Sequence, residues 1–255
     1  MVNQVKRIKL FDPLSKKAAV VIEGNGRNDA EQLSDLPDDL VPIIGCTYEI
    51  RGLIRDWLKS GRRFIYWDRG YIARGGKAWL HTPQVPGGIN YYRWQLSGYQ
   101  MTRTDMNASP DRWKQLRPNV QPWRKSGKHI VVAVPSEAYA SFHEMDGWLD
   151  EIVDAAKETR RKIIVRHKSS TTPLQKDVEE AHCLITHGSV AAVEAAIMGC
   201  PVFVDSTSAA APVGKIDRDF NNPIMPDRTQ WLYSLANAQY TLRELLSGEC
   251  WNYVK

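Results

Sequence analysis

Two short stretches of this 255-residue chain set reactive side chains where a backbone turn would present them. In the later one, the apolar run Cys183-Leu184-Ile185-Thr186 passes through His187-Gly188-Ser189 into an alanine- and valine-rich segment, Val190 to Met198. Strand, tight turn and helix are expected there. The free amides at a helix start carry partial positive charge and suit a phosphate or carboxylate. Gly188 would let the backbone come close to such a ligand, and Ser189 would add a hydroxyl, although a plain helix cap explains Ser189 as well. Glu194 lies among Ala and Val, where an unpaired charge is costly, so it is either partnered or on an exposed helix face. His187 borders the turn, in reach of ligand or backbone. His182 reads as a surface or core histidine.

The earlier stretch is Tyr66-Trp67-Asp68-Arg69-Gly70-Tyr71. Asp68 ends an apolar strand beside a glycine, as a carboxylate that takes a proton or as a turn former. Glu23, ahead of Gly24-Asn25-Gly26, is a second carboxylate at a strand end. Tyr91-Tyr92-Arg93-Trp94, with Arg69, Arg74 and Arg103, mixes aromatic faces and positive charge. That mixture suits bases stacked beside phosphates, or sugars, or an ordinary half-buried strand.

The elements that must hold these residues fall into two series. Ile8–Phe11, Ala18–Ile22, Val41–Ile44 and Phe64–Trp67 are of strand length, and residues 48–60 carry apolar positions at helical spacing. Strand, helix, strand predicts a parallel βαβ unit. Regularity fades over 70–128, and the basic, proline-containing part from 109 to 127 reads as a joint. A second series begins at Ile130: strands at 130–134, 163–165, 183–186 and 201–204 alternate with helices at 148–157, 174–181 and 190–198. Its strands are continuously apolar, as strands covered on both faces should be. Residues 227–246 read as helix. The expected fold class is α/β with two Rossmann-like lobes: residues 1–110, a linker over 111–128, a second lobe over 129–226, and C-terminal helices over 227–255 that cross back.

Composition narrows the function. Apolar residues make up 43% and charged residues 25%, an ordinary globular balance, and the net charge of +5 is compatible with a polyanionic partner or with a solvated surface. Four cysteines without metal-ligand spacing, and Cys183 and Cys200 inside apolar runs, argue for core thiols in a reducing compartment. No secretory pattern and no apolar run of ~18 residues occur, so no membrane span is expected. No DxD pair suited to magnesium is found. Asp38-Asp39 and Asp217-Arg218-Asp219 come nearest, and no metal and no cofactor are expected.

One segment carries a family likeness. Ile164-Val165-Arg166-His167, then residues 181–189, then Glu194-Ala195 and Gly199-Cys200-Pro201-Val202 resemble the donor-binding lobe of GT-B glycosyltransferases, nearest to capsule-polysaccharide-type transferases and related phage enzymes. The likeness covers about a sixth of the chain, and sugar-nucleotide epimerases share the lobe. It implies a compact GT-B-like arrangement and a metal-independent transfer of sugar from a nucleotide-sugar donor to a hydroxyl. His167 and Lys168 would then lie near the donor phosphates, Ser189 at the phosphate turn, and Glu194 at the donor end. The family's frequent His-Pro pair is replaced here by His167-Lys168. Asp68 resembles the acidic strand-end residue of these enzymes and would be the base, and Arg69 and Arg93 are expected to bind substrate. Compactness, basic charge and the aromatic-arginine mixture, taken with the likeness to phage enzymes, suggest as acceptor a hydroxymethylated pyrimidine in DNA, as in bacteriophage DNA modification; a saccharide is the other acceptor. An epimerase or hydrolase, and a non-catalytic sugar-nucleotide or nucleic-acid binding module, are the alternatives. The implied location is cytoplasmic, in the host cytoplasm for a phage product.

Overall fold

The structure is a computed structural model, and it describes residues 6–12, 17–23, 41–44, 51–72, 91–116, 118–241 and 244. The chain divides into two compact units: residues 1–70, 89–99 and 238–255 form the first, and residues 71–88 and 100–237 the second.

The first unit is built on a mixed six-stranded sheet. Its strands are β1 (Lys6–Asp12), β2 (Lys17–Glu23), β3 (Val41–Ile44), β4 (Phe64–Arg69), β5 (Tyr91–Leu96) and β10 (Gln239–Thr241), in the order β1-β2-β3-β4-β5-β10. The expected parallel unit is present: β3 and β4 run parallel, joined through α1 (Arg51–Ser60). α1 buries Ile54 and Trp57, and the Trp57 ring meets Phe64 at 5.7 Å. Gly61, at φ 71°, stops the helix. The Arg62 amide then bonds back to the Trp57 carbonyl at 3.0 Å, a closure that needs a left-handed residue and therefore favours glycine. The sheet is not wholly parallel as a Rossmann-like lobe would be. β1/β2, β4/β5 and β5/β10 are antiparallel.

The second unit has the expected parallel sheet. Its strands β6 (His129–Ala133), β7 (Lys162–Arg166), β8 (Ala181–Ile185) and β9 (Val202–Phe203) stand in the order β7-β6-β8-β9, every neighbour parallel. The helices are α2 (Asp111–Leu116), α3 (Glu137–Phe142), α4 (Trp148–Lys157), α5 (Leu174–Val178), α6 (Ala191–Ile197) and α7 (Thr229–Asn237). On one face Ile130, Val132, Cys183, Ile185 and Phe203 pack with Ile152 and Ala156 of α4 and with Phe220. Strand alternation turns Val131 and Leu184 to the other face, and α6 packs against β8 and β9 with every residue from Ala192 to Ile197 buried. Cys183 and Cys200 are free, buried thiols; burial pushes Cys200 up to about 12.

Residues 111–128, expected as a joint, are fastened along the second unit. The amides of Gln121 and Arg124 bond to the carbonyls of Ile197 and Gly199, and the Arg124 guanidinium reaches the carbonyls of Val178 and Ala181 at 2.6 and 3.0 Å. Arg228 stacks on Trp123 at 4.0 Å and donates to the carbonyls of Ala196 and Gln121. The continuous helix expected over 227–246 is a correction: α7 ends at Asn237, and Gln239–Thr241 is a strand. The Trp94 amide bonds to the Ala238 carbonyl and Tyr240 pairs with Tyr92, so closing the open edge of β5 outweighs one more helical turn.

Candidate functional site

In the second unit, the carboxyl edge of the parallel sheet brings together side chains from three connections. This is where open α/β sheets hold ligands. The end of β8 is anchored on both sides: the Thr186 hydroxyl donates to the Ala133 carbonyl at 2.7 Å and the Thr186 amide to the Phe203 carbonyl at 3.0 Å. The next residue, His187, accepts the Asp205 amide on its carbonyl at 2.9 Å. The two loops therefore leave the sheet as one assembly.

The His187 ring lies between two oxygens. Nδ1 is 3.2 Å from the Tyr139 hydroxyl, and Nε2 is 3.9 Å from Asp205 Oδ2, beyond a hydrogen bond but close for a charge. The His143 ring is 4.7 Å from that of His187 and 4.3 Å from that of Tyr139. Burial lowers the proton affinity of His187 below the ordinary imidazole range, and Asp205 opposes that shift in part. For Asp205 itself burial acts upward, but hydrogen bonds from the Thr207 hydroxyl (2.7 Å) and amide (2.9 Å) outweigh it. They hold the carboxyl low, with the two histidines adding to the effect.

Gly188 is as tightly constrained as a turn glycine can be. A Cβ there would fall 1.9 Å from the Tyr139 hydroxyl oxygen. The Tyr139 side chain of α3 therefore packs directly against the Gly188 backbone. Buried Gln100 braces the turn: its Nε2 donates to the Gly188 carbonyl at 2.7 Å and its Oε1 accepts the Ala209 amide at 2.9 Å. The Ser189 hydroxyl accepts the Ala191 amide at 3.2 Å, just ahead of Val190, which caps α6 without a side-chain bond. Glu194 is buried, so the exposed-face alternative does not hold. His167 and Lys168 are exposed on the connection after β7, at the same edge but with β6 between them and β8.

Asp68 belongs to the first unit and lies inside β4 rather than in a turn. It sits directly across from Arg93 of β5. Arg93 reaches Oδ2 at 2.5 Å, the Tyr66 hydroxyl donates to the same oxygen at 3.1 Å, and the Arg69 amide donates to Oδ1 at 2.7 Å. The Arg69 side chain is exposed. Tyr91, Arg93 and Trp94 are buried, so this strand is an ordinary half-buried one and not an open stacking platform. Glu23 falls in β2, where side chains are not described, and Gly24-Asn25-Gly26, Arg74 and Asp38-Asp39 lie outside the described residues. Asp217 and Asp219 both hold Lys215, at 3.3 and 3.2 Å. No group of three possible metal ligands occurs among the described residues, and none of their helices is long and apolar enough to cross a membrane.

The chain is similar in structure to Thermosulfurimonas dismutans KpsC, a beta Kdo 2,7 transferase. The TM-score is 0.47 at 12% identity, over 90% of this chain and 91% of that one. No protein family and no curated protein matches the sequence.

Of the residues expected at the later site, His187 and Gly188 meet in one cluster, Ser189 bonds the first amide of α6, and Glu194 is buried within that helix. Sequence reasoning missed Tyr139, His143, Gln100 and Asp205. Pro135-Ser136-Glu137 is a helix-start pattern that could have revealed α3, and with it Tyr139 and His143. Asp205 follows the apolar run 201–204, as His187 follows the run 183–186, and that parallel was a usable signal. Gln100 carries no local signal: its two partners lie 88 and 109 residues away.

Proposed function

We propose that the chain is a metal-independent glycosyltransferase of the two-lobed GT-B kind, moving a sugar from a nucleotide-sugar donor to a hydroxyl acceptor. The observation that carries this reading is the convergence of His187, Tyr139, His143 and Asp205 at the carboxyl edge of a wholly parallel sheet, on the strand–turn–helix that resembles the family's donor lobe. The donor phosphates would meet the Tyr139 hydroxyl and the imidazoles above the Gly188–Ser189 turn. His167 and Lys168 would add positive charge from the neighbouring connection, and Glu194 would hold the donor end.

Asp68 is the proposed base. Its Oδ2 is occupied by Arg93 and Tyr66, whereas Oδ1 carries a single backbone donor and keeps a lone pair for the acceptor proton. Arg69 and Arg93 orient that carboxylate. The acceptor is a saccharide hydroxyl or the hydroxymethyl group of a modified pyrimidine in DNA. Burial of Tyr91, Arg93 and Trp94 removes the stacking surface a DNA strand would use, and this favours the saccharide.

The test is a panel of nucleotide sugars incubated with saccharides and with plain or hydroxymethylated DNA, the products being weighed by mass spectrometry. Nucleotide release that requires an acceptor marks a transferase, and Asp68→Asn should then abolish turnover while donor binding persists. Turnover without acceptor would mark an epimerase or hydrolase, and binding without turnover a binding module. A DNA acceptor would bind with a steep loss of affinity as salt rises.

A further inference from the structure

The second unit contains a hydroxyl, an imidazole and a carboxylate in line: Tyr139 at 3.2 Å from Nδ1 of His187, and Asp205 at 3.9 Å from Nε2. An imidazole between a hydroxyl and a carboxylate is the arrangement that carries protons in hydrolytic enzymes, the carboxylate favouring the charged ring. Here the local structure enforces it. Gly188 has no side chain where the Tyr139 hydroxyl sits, Gln100 ties that turn to the loop after Asp205, and the backbone of His187 is bonded to that of Asp205. Against the His187 ring stand Tyr139 of α3, His143 just after α3, and Asp205 from the loop after β9, which brings the negative charge. The His143 ring lies 4.7 Å from that of His187, so a bound anion would meet two imidazoles at once.

We propose that Tyr139, His187 and Asp205 form a proton relay that loads when a phosphate-bearing ligand binds and returns its proton to the departing phosphate oxygen. The loading step needs only the anion, whereas the return step rests on the glycosyl-transfer reading. Burial keeps the ring neutral when the site is empty, and a bound phosphate restores its proton affinity. In transfer, the bond between the sugar carbon and the phosphate oxygen breaks and its electron pair stays on that oxygen. The oxygen takes the Tyr139 hydroxyl proton, and the Tyr139 oxygen takes the Nδ1 proton of the charged ring. His187 ends neutral beside an unchanged Asp205 carboxylate.

The experiment is a pH titration of the His187 imidazole by NMR in the full chain, with and without saturating inorganic pyrophosphate, its signal assigned by its loss in His187→Gln. Pyrophosphate should raise the His187 midpoint by about one pH unit or more, equivalent to about tenfold tighter binding to the charged ring. An unchanged midpoint, or no binding of pyrophosphate, overturns the proposal. Tyr139→Phe should keep the raised midpoint and lower donor turnover at least about tenfold; undiminished turnover overturns the role of the hydroxyl. A raised midpoint in a chain that turns over no nucleotide sugar with any acceptor sinks the glycosyl-transfer reading and the return step, and leaves the loading step standing.

Discussion

Substituting Gly188 by alanine tests the packing on which the site depends. The new Cβ would lie 1.9 Å from the Tyr139 hydroxyl oxygen, 2.8 Å from its Cζ and 3.3 Å from Gln100 Nε2. The backbone of Gly188 is not left-handed, so alanine brings no conformational penalty and the cost is steric alone. Two responses are open to the molecule. Holding Tyr139 in place forces overpacking, at about 1–3 kcal/mol. Releasing it breaks the hydrogen bond to His187 Nδ1, at about 1 kcal/mol, together with the stacking of Tyr139 on His143. Gly188→Ala should therefore destabilise the second unit by about 1–3 kcal/mol. Tyr139→Phe alone should cost about 1 kcal/mol through the lost hydrogen bond. In the double variant the clash with the hydroxyl and the bond it makes are the same loss, so the total should fall short of the sum by about 1 kcal/mol. Urea unfolding of the four proteins in one buffer measures this. Additivity within about 0.3–0.5 kcal/mol, or a neutral Gly188→Ala, would refute the placement of Tyr139 against the turn.

Three further outcomes are expected. Gln100→Ala should cost about 2–5 kcal/mol in urea unfolding, because the buried Gly188 carbonyl and Ala209 amide each lose their side-chain partner; a loss below about 0.5 kcal/mol would mean that Gln100 is not the brace. Folding stability should be complete above about pH 6.5 and decline as pH falls below it, because burial depresses His187 and His182 in the folded state and protons then favour the unfolded chain. Asp205→Asn should lower the His187 midpoint further, seen by NMR, whereas the stabilisation due to Asp205 itself is lost only in acid, below the ordinary carboxylate range; stability that is flat from pH 5 to 8 would refute the histidine assignment.

The second unit was legible in the sequence because its strands are short apolar runs buried on both faces, with helices of recognisable period between them. Trp148–Lys157 matches the expected helix at both ends. The first unit was legible only where neighbours in sequence pair, as in β3, α1 and β4. The partner of β5 on its open side lies some 150 residues away, and local pattern carries no trace of it. The same limit applies to the site. His187 and Gly188 announce themselves through a strand–turn–helix pattern, while Tyr139 lies in, and His143 directly after, a six-residue helix too short to show a period. Asp68 was recognised as a carboxylate at a strand end, but its partner Arg93 is fixed by cross-strand register, which sequence spacing does not state.

The placement of β10 has a consequence for how the chain is made. The four strands β6 to β9 lie in one uninterrupted stretch of chain that can close its own sheet, whereas the sheet of the first unit is completed only by Gln239–Thr241. Until residues 239–241 are free, β5 presents an unpaired edge on that side. A nascent chain halted or clipped between residues 96 and 239 would therefore carry a sticky border open to pairing with other chains.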